Sequence, residues 1–171
     1  MRYRRLDGVI FVPTLDPPHR ASCPVASYDD RVSMVNLAIS GLPGFEVSRI
    51  EENTSRPSYT LLTVGALKKA FPGVAYEVII GADQLTQLKT WYRWEDLLQE
   101  VIVLVGSRPG SVVNALSDFP PDRVMAVETS LVDLSSTHIR SRIRQGAAQA
   151  ELTTMMPSAV VEYILERSLY R

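Results

Sequence analysis

The chain has a single cysteine, Cys23, which excludes an internal disulfide framework. Its opening residues, MRYRRLDGV, lack the apolar core of a secretory signal, so a reducing cytoplasm is the expected compartment. No apolar run reaches the roughly 18 to 20 residues needed to cross a bilayer, because charge or proline interrupts each one, and no membrane is expected as a partner. Charge of either sign is also not in excess. Lys and Arg total 18 against 19 Asp and Glu, and a net charge of −1 offers no global field for gripping nucleic acid, so any anion site must be local. Internal repeats, low-complexity tracts and linkers are lacking too. With 46% hydrophobic residues, the 171-residue chain is expected to form one domain, 1–171, around a sizeable core.

What is present is a series of short Val- and Ile-rich runs: GVIFVP at 8–13, FEVSRI at 45–50, YEVIIGA at 76–82, VIVLVG at 101–106 and VMAVE at 124–128. Continuous rather than alternating hydrophobicity predicts parallel strands covered on both faces. Helix-period segments lie between them. SYDDRVSMVNLAIS offers Ser27 as N-cap with Asp29 and Asp30 in the first turn; SYTLLTVGALKKAF closes on Lys68 and Lys69; PSAVVEYILERSLYR starts with proline in its first turn. The alternation predicts an α/β fold, an open doubly wound, mainly parallel sheet of Rossmann-like type whose ligand site lies beyond the carboxyl ends of the strands.

Four stretches carry candidate chemistry. In VDLSSTHIRSRIRQG, Val132 to Gly146, Asp133 and Ser135 stand where a helix should begin and Gly146 where it should be capped. Ser136 and Thr137 fall at its free N–H groups. Ile139 and Ile143 should face the core, while Thr137, Arg140 and Arg144 share another face at helical spacing and can converge on one phosphate. The alternative is a well-capped surface helix with solvated arginines. IIGADQLTQLKTWYRWEDL puts Gly81 at a strand end and Asp83 at a helix start, where a carboxylate can accept ribose hydroxyls or simply favour the helix N-terminus. Trp91, with Tyr92 beside it, can stack on a heteroaromatic ring or can serve packing. ENTSRPSYTLLTV presents Ser58 as a natural cap and Thr60 as an amide and hydroxyl near the strand ends, which capping alone also explains. FVPTLDPPHRAS places His19 and Arg20 at the tip of a proline-stiffened loop, either against a ligand or in solvent.

Taken together, PSYT, GADQ with a downstream tryptophan, GSRPG and SSTHIR, in this order along the whole chain, resemble the bacterial nicotinate-nucleotide adenylyltransferases of the HIGH-type nucleotidyltransferase superfamily. SSTHIR alone would equally suit phosphopantetheine or cytidylyl transferases; PSYT with Trp91 favours the nicotinate enzyme. The resemblance implies adenylyl transfer from ATP to nicotinate mononucleotide, giving deamido-NAD and pyrophosphate in NAD biosynthesis. It implies that Ser136, Thr137 and Arg140 surround the ATP phosphates, with Thr137 and Arg140 catalytic, and that Gly81, Asp83 and Arg108 complete the ATP site. By the same resemblance Thr60 holds the nicotinate carboxylate, Trp91 stacks on the pyridine ring, Tyr92 contributes backbone, and His19 and Arg20 lie near the mononucleotide phosphate. Mg²⁺ would be held mainly through ATP phosphates, consistent with a sequence that has no carboxylate cluster of metal-site character, and no protein metal ligand is assigned. A homo-oligomer is left open.

One family feature does not occur in the chain: the turn GGTFDPxHxGH after the first strand, whose two histidines serve the transferring phosphate. TLDPPHRAS imitates it from threonine to the first histidine, but Ala21 and Ser22 stand where glycine and the second histidine belong. The run GVIFVP followed by PPH, FEVSRIE and PSYT matches the second strand instead. The expectation is therefore a fold missing its first strand, which in a 3-2-1-4-5 sheet is central; each inner backbone group left buried and unpaired would cost on the order of 1 to 3 kcal/mol. Either the sequence begins late in an ordinary enzyme, which is the preferred reading, or the strands close the gap, or another chain fills it. The competing functional class is a nucleotide-binding protein that does not turn over. A polypeptide of these 171 residues is expected to release little or no pyrophosphate from ATP and nicotinate mononucleotide, and robust release would overturn that expectation.

Overall fold

The Val- and Ile-rich runs become five short strands: β1 Val9–Phe11, β2 Phe45–Val47, β3 Glu77–Gly81, β4 Ile102–Ser107 and β5 Val124–Glu128. They belong to a computed structural model that describes residues 6–18, 26–107, 113–128 and 134–171. The helices are α1 Tyr28–Ile39, α2 Thr60–Ala70, α3 Ala82–Leu85, α4 Trp94–Glu100, α5 Val113–Leu116, α6 Ser136–Arg144, α7 Gln149–Leu152 and α8 Ser158–Glu166. Every strand pairing is parallel, as continuous hydrophobicity predicts. The described strands form two sheets, β1 with β2 and β3-β4-β5, and no described ladder joins the pair to the triplet. The chain divides into two compact units.

The first unit holds Asp16–Pro18 and the described part of Ile50–Leu131, hence β3, β4, β5 and α2 to α5. Its central strand β4 is buried on both faces: Val103 and Val105 are fully enclosed, and Leu104, pointing the other way, is 3% exposed. Val103 and Val105 join Ile80, Leu85, Leu88, Leu98, Phe119 and Val124 in one cluster, while Val64 of α2 and Leu97 of α4 build a second with Val101. The edge strand β3 departs from the expectation of two covered faces. Ile79 is 54% exposed, so that face of β3 is not covered at this position.

The second unit holds β1, β2 and α1 with α6, α7 and α8. Its core is Ile143, Leu152, Val160, Val161 and Ile164, against which Met34, Leu37 and Ala38 bring one face of α1 at helical spacing. Ser27 caps α1 as expected: its hydroxyl accepts the Asp30 N–H at 3.1 Å and donates to Asp30 Oδ2 at 2.7 Å. Asp30 is 6% exposed and does more than serve the helix dipole. Its Oδ1 accepts Tyr163 OH at 2.9 Å and Arg167 Nε at 2.7 Å, so a buried carboxylate ties the start of α1 to α8 and the residue that follows it.

The hydrogen bonds from Ser27 and then Tyr163 hold the Asp30 carboxyl below its ordinary value, with Arg167 adding to them against the cost of burial. A carboxyl whose folded value is depressed contributes stability above its unfolded value, near 4, and loses it as pH falls through the folded value. Asp30→Asn should therefore lower stability by about 1 to 3 kcal/mol at neutral pH, with the gap to the wild type narrowing as the pH drops below about 4. Denaturant unfolding at pH 7 and pH 3 checks this; an equal gap at both would contradict it.

Candidate functional site

In the second unit the candidate residues gather at one end of α6. Ser135, in extended backbone, is the N-cap, and its hydroxyl accepts the His138 N–H at 3.1 Å. The first intrahelical bond is from Ile139 N–H to the Ser135 carbonyl, so the N–H groups of Ser136 and Thr137 have no acceptor within the helix. Ser135, Ser136 and Thr137 are all exposed. Thr137 Oγ1 accepts from Arg140 Nη2 at 3.3 Å, which sets a hydroxyl beside a guanidinium one turn along the helix. Two free amides, a hydroxyl and a cation at an uncovered positive helix end make an arrangement suited to an anion.

The rest of α6 behaves as its sequence predicts. Ile143 is 5% exposed and Ile139 packs beside it. Gly146, at φ +74, ends the helix with paired bonds, its own N–H to the Ile143 carbonyl and the Ala147 N–H to the Arg142 carbonyl, both 3.0 Å. The three arginines differ in their commitments. Arg142 forks onto Glu151 of α7 at 2.6 and 3.0 Å and reaches Gln145 at 2.6 Å, holding the Glu151 carboxyl below its ordinary value. Among the described residues Arg140 has the light tether to Thr137, and Arg144 is exposed. Asp133 lies outside the described residues.

In the first unit Thr60 is the first residue of α2. Ser58 does not cap that helix, contrary to expectation: Tyr59 takes the N-cap position, without a side-chain bond, and Ser58 is buried in a clasp with the 12–18 loop. Its hydroxyl accepts the Asp16 N–H at 3.1 Å and its N–H donates to the Asp16 carbonyl at 2.9 Å. Local spacing could not show this, because the partner is 42 residues away. The Tyr59 ring instead stacks on Tyr92, with centroids 4.3 Å apart and planes at 20°, bringing Tyr92 beside the start of α2. Trp91 is half-buried and touches both hydrophobic clusters of this unit, so it serves packing and leaves part of its ring uncovered.

Gly81 ends β3 and is the N-cap of α3, and Asp83 stands exposed in the first turn, as the sequence predicts. A Cβ at position 81 would lie 2.5 Å from Asp83 Oδ1, so glycine here makes room for the carboxylate to fold back over the strand end. His19, Arg20 and Arg108 lie outside the described residues. Among the described residues no group of three or more His, Cys, Asp or Glu side chains could hold a metal ion, and no helix is long and apolar enough to cross a membrane.

Residues 3–142 match the family model described as cytidylyltransferase-like. A probable nicotinate-nucleotide adenylyltransferase of Rubrobacter xylanophilus is 38% identical over 97% of this chain and 79% of its own length. A relative of the same description from Halalkalibacterium halodurans is 39% identical, over 97% and 78%. The chain belongs to the nicotinate-nucleotide adenylyltransferase family. Its fold agrees: the Plasmodium falciparum nicotinic acid mononucleotide adenylyltransferase complexed with NaAD superposes with a TM-score of 0.77, covering 96% of this chain and 83% of that one at 15% identity. Thus the expected α/β class with parallel, Rossmann-like strands holds, and membership among nicotinate-nucleotide adenylyltransferases settles the choice of branch that SSTHIR alone left open.

Proposed function

We propose that the chain serves adenylyl transfer from ATP to nicotinate mononucleotide, forming deamido-NAD and pyrophosphate in NAD biosynthesis. The observation that carries this reading is the open first turn of α6 in a member of this family: free amides at Ser136 and Thr137, with Arg140 beside the Thr137 hydroxyl. A phosphate oxygen of the mononucleotide attacks the α-phosphorus of ATP, the bond to the β-phosphate oxygen breaks in line, and pyrophosphate leaves with the bonding electrons. No covalent enzyme intermediate is required, so alignment and charge stabilisation supply the catalysis. Thr137 and Arg140 act on the departing pyrophosphate in this scheme, and Ser136 binds ATP phosphate. Gly81, Asp83 and Arg108 serve the adenosine side.

Thr60 receives the nicotinate carboxylate on its amide and hydroxyl, Trp91 offers its uncovered ring to the pyridine, Tyr92 borders it, and His19 and Arg20 attend the mononucleotide phosphate. Mg²⁺ fits a donor set of substrate phosphates and water, where it would neutralise phosphate charge, and this asks no carboxylate cage of the protein. A cytoplasmic location belongs to this reading, and the single cysteine suits a reducing compartment; a homo-oligomer is compatible with the sequence.

This reading requires nucleotide binding. Titration calorimetry with a non-hydrolysable ATP analogue should therefore show Arg140→Ala weakening the affinity about tenfold, the loss expected for a charge-assisted phosphate contact. Unchanged affinity would remove Arg140 from the phosphate site.

A further inference from the structure

Glu51 and Thr63 form a buried polar pair to which no step above gives a role. Glu51, 5% exposed, sits in a 3-10 turn, Ile50–Asn53, and Thr63, 7% exposed, sits in the first turn of α2. Thr63 Oγ1 lies 2.9 Å from Glu51 Oε1 and 3.3 Å from the Tyr59 carbonyl. Its single hydrogen serves one acceptor at a time, and the Glu51 oxygen is the nearer of the two. The consequence is felt at Tyr59. A threonine hydroxyl that bonds back onto the carbonyl four residues earlier competes with the backbone and bends the helix. With that hydroxyl drawn to Glu51, the Tyr59 carbonyl is shared by the amides of Leu62 and Thr63, at 2.9 and 3.1 Å, which close the first turn.

We propose that Thr63, held by the Glu51 carboxylate, is a positioning residue that sets the first turn of α2 for the nicotinate end of the acceptor. This rests on the reading of Thr60 given above. Among the described residues no side chain caps α2, so the N–H groups of Thr60 and Leu61 have no acceptor within the helix. Thr60 stands between two tethers. Two residues before it, Ser58 is clasped to Asp16; three residues after it, Thr63 is fixed to Glu51. The Glu51 end is itself immobilised, since its carbonyl accepts both the N–H and the hydroxyl of Thr54, at 3.2 and 3.0 Å. Thr63 touches no substrate in this scheme; it acts through the pose of the Thr60 amide and hydroxyl.

The test is a set of variants of the whole chain, titrated separately with nicotinate mononucleotide and with an ATP analogue, beside thermal unfolding. Thr63→Val keeps volume and removes the hydroxyl. It should weaken nicotinate mononucleotide about tenfold while leaving the ATP analogue within about twofold, and Thr63→Ser should restore most of the loss. A merely structural role would lower the unfolding temperature and leave the mononucleotide affinity unchanged, or weaken both ligands alike; either outcome overturns the proposal. Thr60→Val separates the two levels. If it weakens the mononucleotide and Thr63→Val does not, the positioning role fails and the site stands. If Thr60→Val has no effect, or the wild type binds no mononucleotide, the reading of Thr60 fails and takes the positioning role with it.

Discussion

The hydrogen bond from the His138 amide to the Ser135 hydroxyl fixes where α6 begins, and the chemistry assigned to this chain depends on that starting point. A cap one residue later would leave a different pair of amides free at the first turn. With the cap at Ser135, one first-turn N–H is satisfied and two, at Ser136 and Thr137, have no acceptor within the helix. The far end of the helix supports the same register: the paired bonds around Gly146 stop it, and the Arg142 fork onto Glu151 docks it on α7. Ile139 and Ile143 press the remaining face on the core of their unit. The helix is thus held by three sides and left open at its tip.

Legibility in the sequence followed the range of the interactions. Features decided by residues within a turn of one another could be read directly: the Ser27 cap of α1, the Ile139 and Ile143 core stripe, the pairing of Thr137 with Arg140, and Gly146 as the helix stop. The Val-rich run of β4 predicted its burial on both faces, because a central parallel strand has no face to give to water. The same reasoning overreached for β3, whose Ile79 is exposed, since a sequence run does not say which faces other elements will cover.

Interactions closed by the tertiary fold were not legible. Ser58 carries every local mark of a helix cap, yet its hydroxyl is claimed by the amide of Asp16, 42 residues away. Asp30 reads as an ordinary first-turn acid and is a buried acceptor for Tyr163 and Arg167, more than 130 residues on. Tyr59 and Tyr92 carry no pattern that announces their stacking. Nothing in ENTSRPSYTLLT marks Glu51 and Thr63 as a pair, because eleven residues, running through a loop into the start of α2, separate them and only folding brings their side chains to 2.9 Å. The motif residues were recognisable; the contacts that hold them in place were not.

The start of α6 as an anion site is the claim on which the functional reading turns. Backbone amide resonances of the nitrogen-15-labelled chain, followed during titration with an ATP analogue, address it residue by residue. The account predicts large shifts at Ser136 and Thr137 and at the Arg140 side chain, with Gly146 and Ala147 at the closed end of the same helix unmoved. Shifts elsewhere, with Ser136 and Thr137 unchanged at saturation, would contradict it.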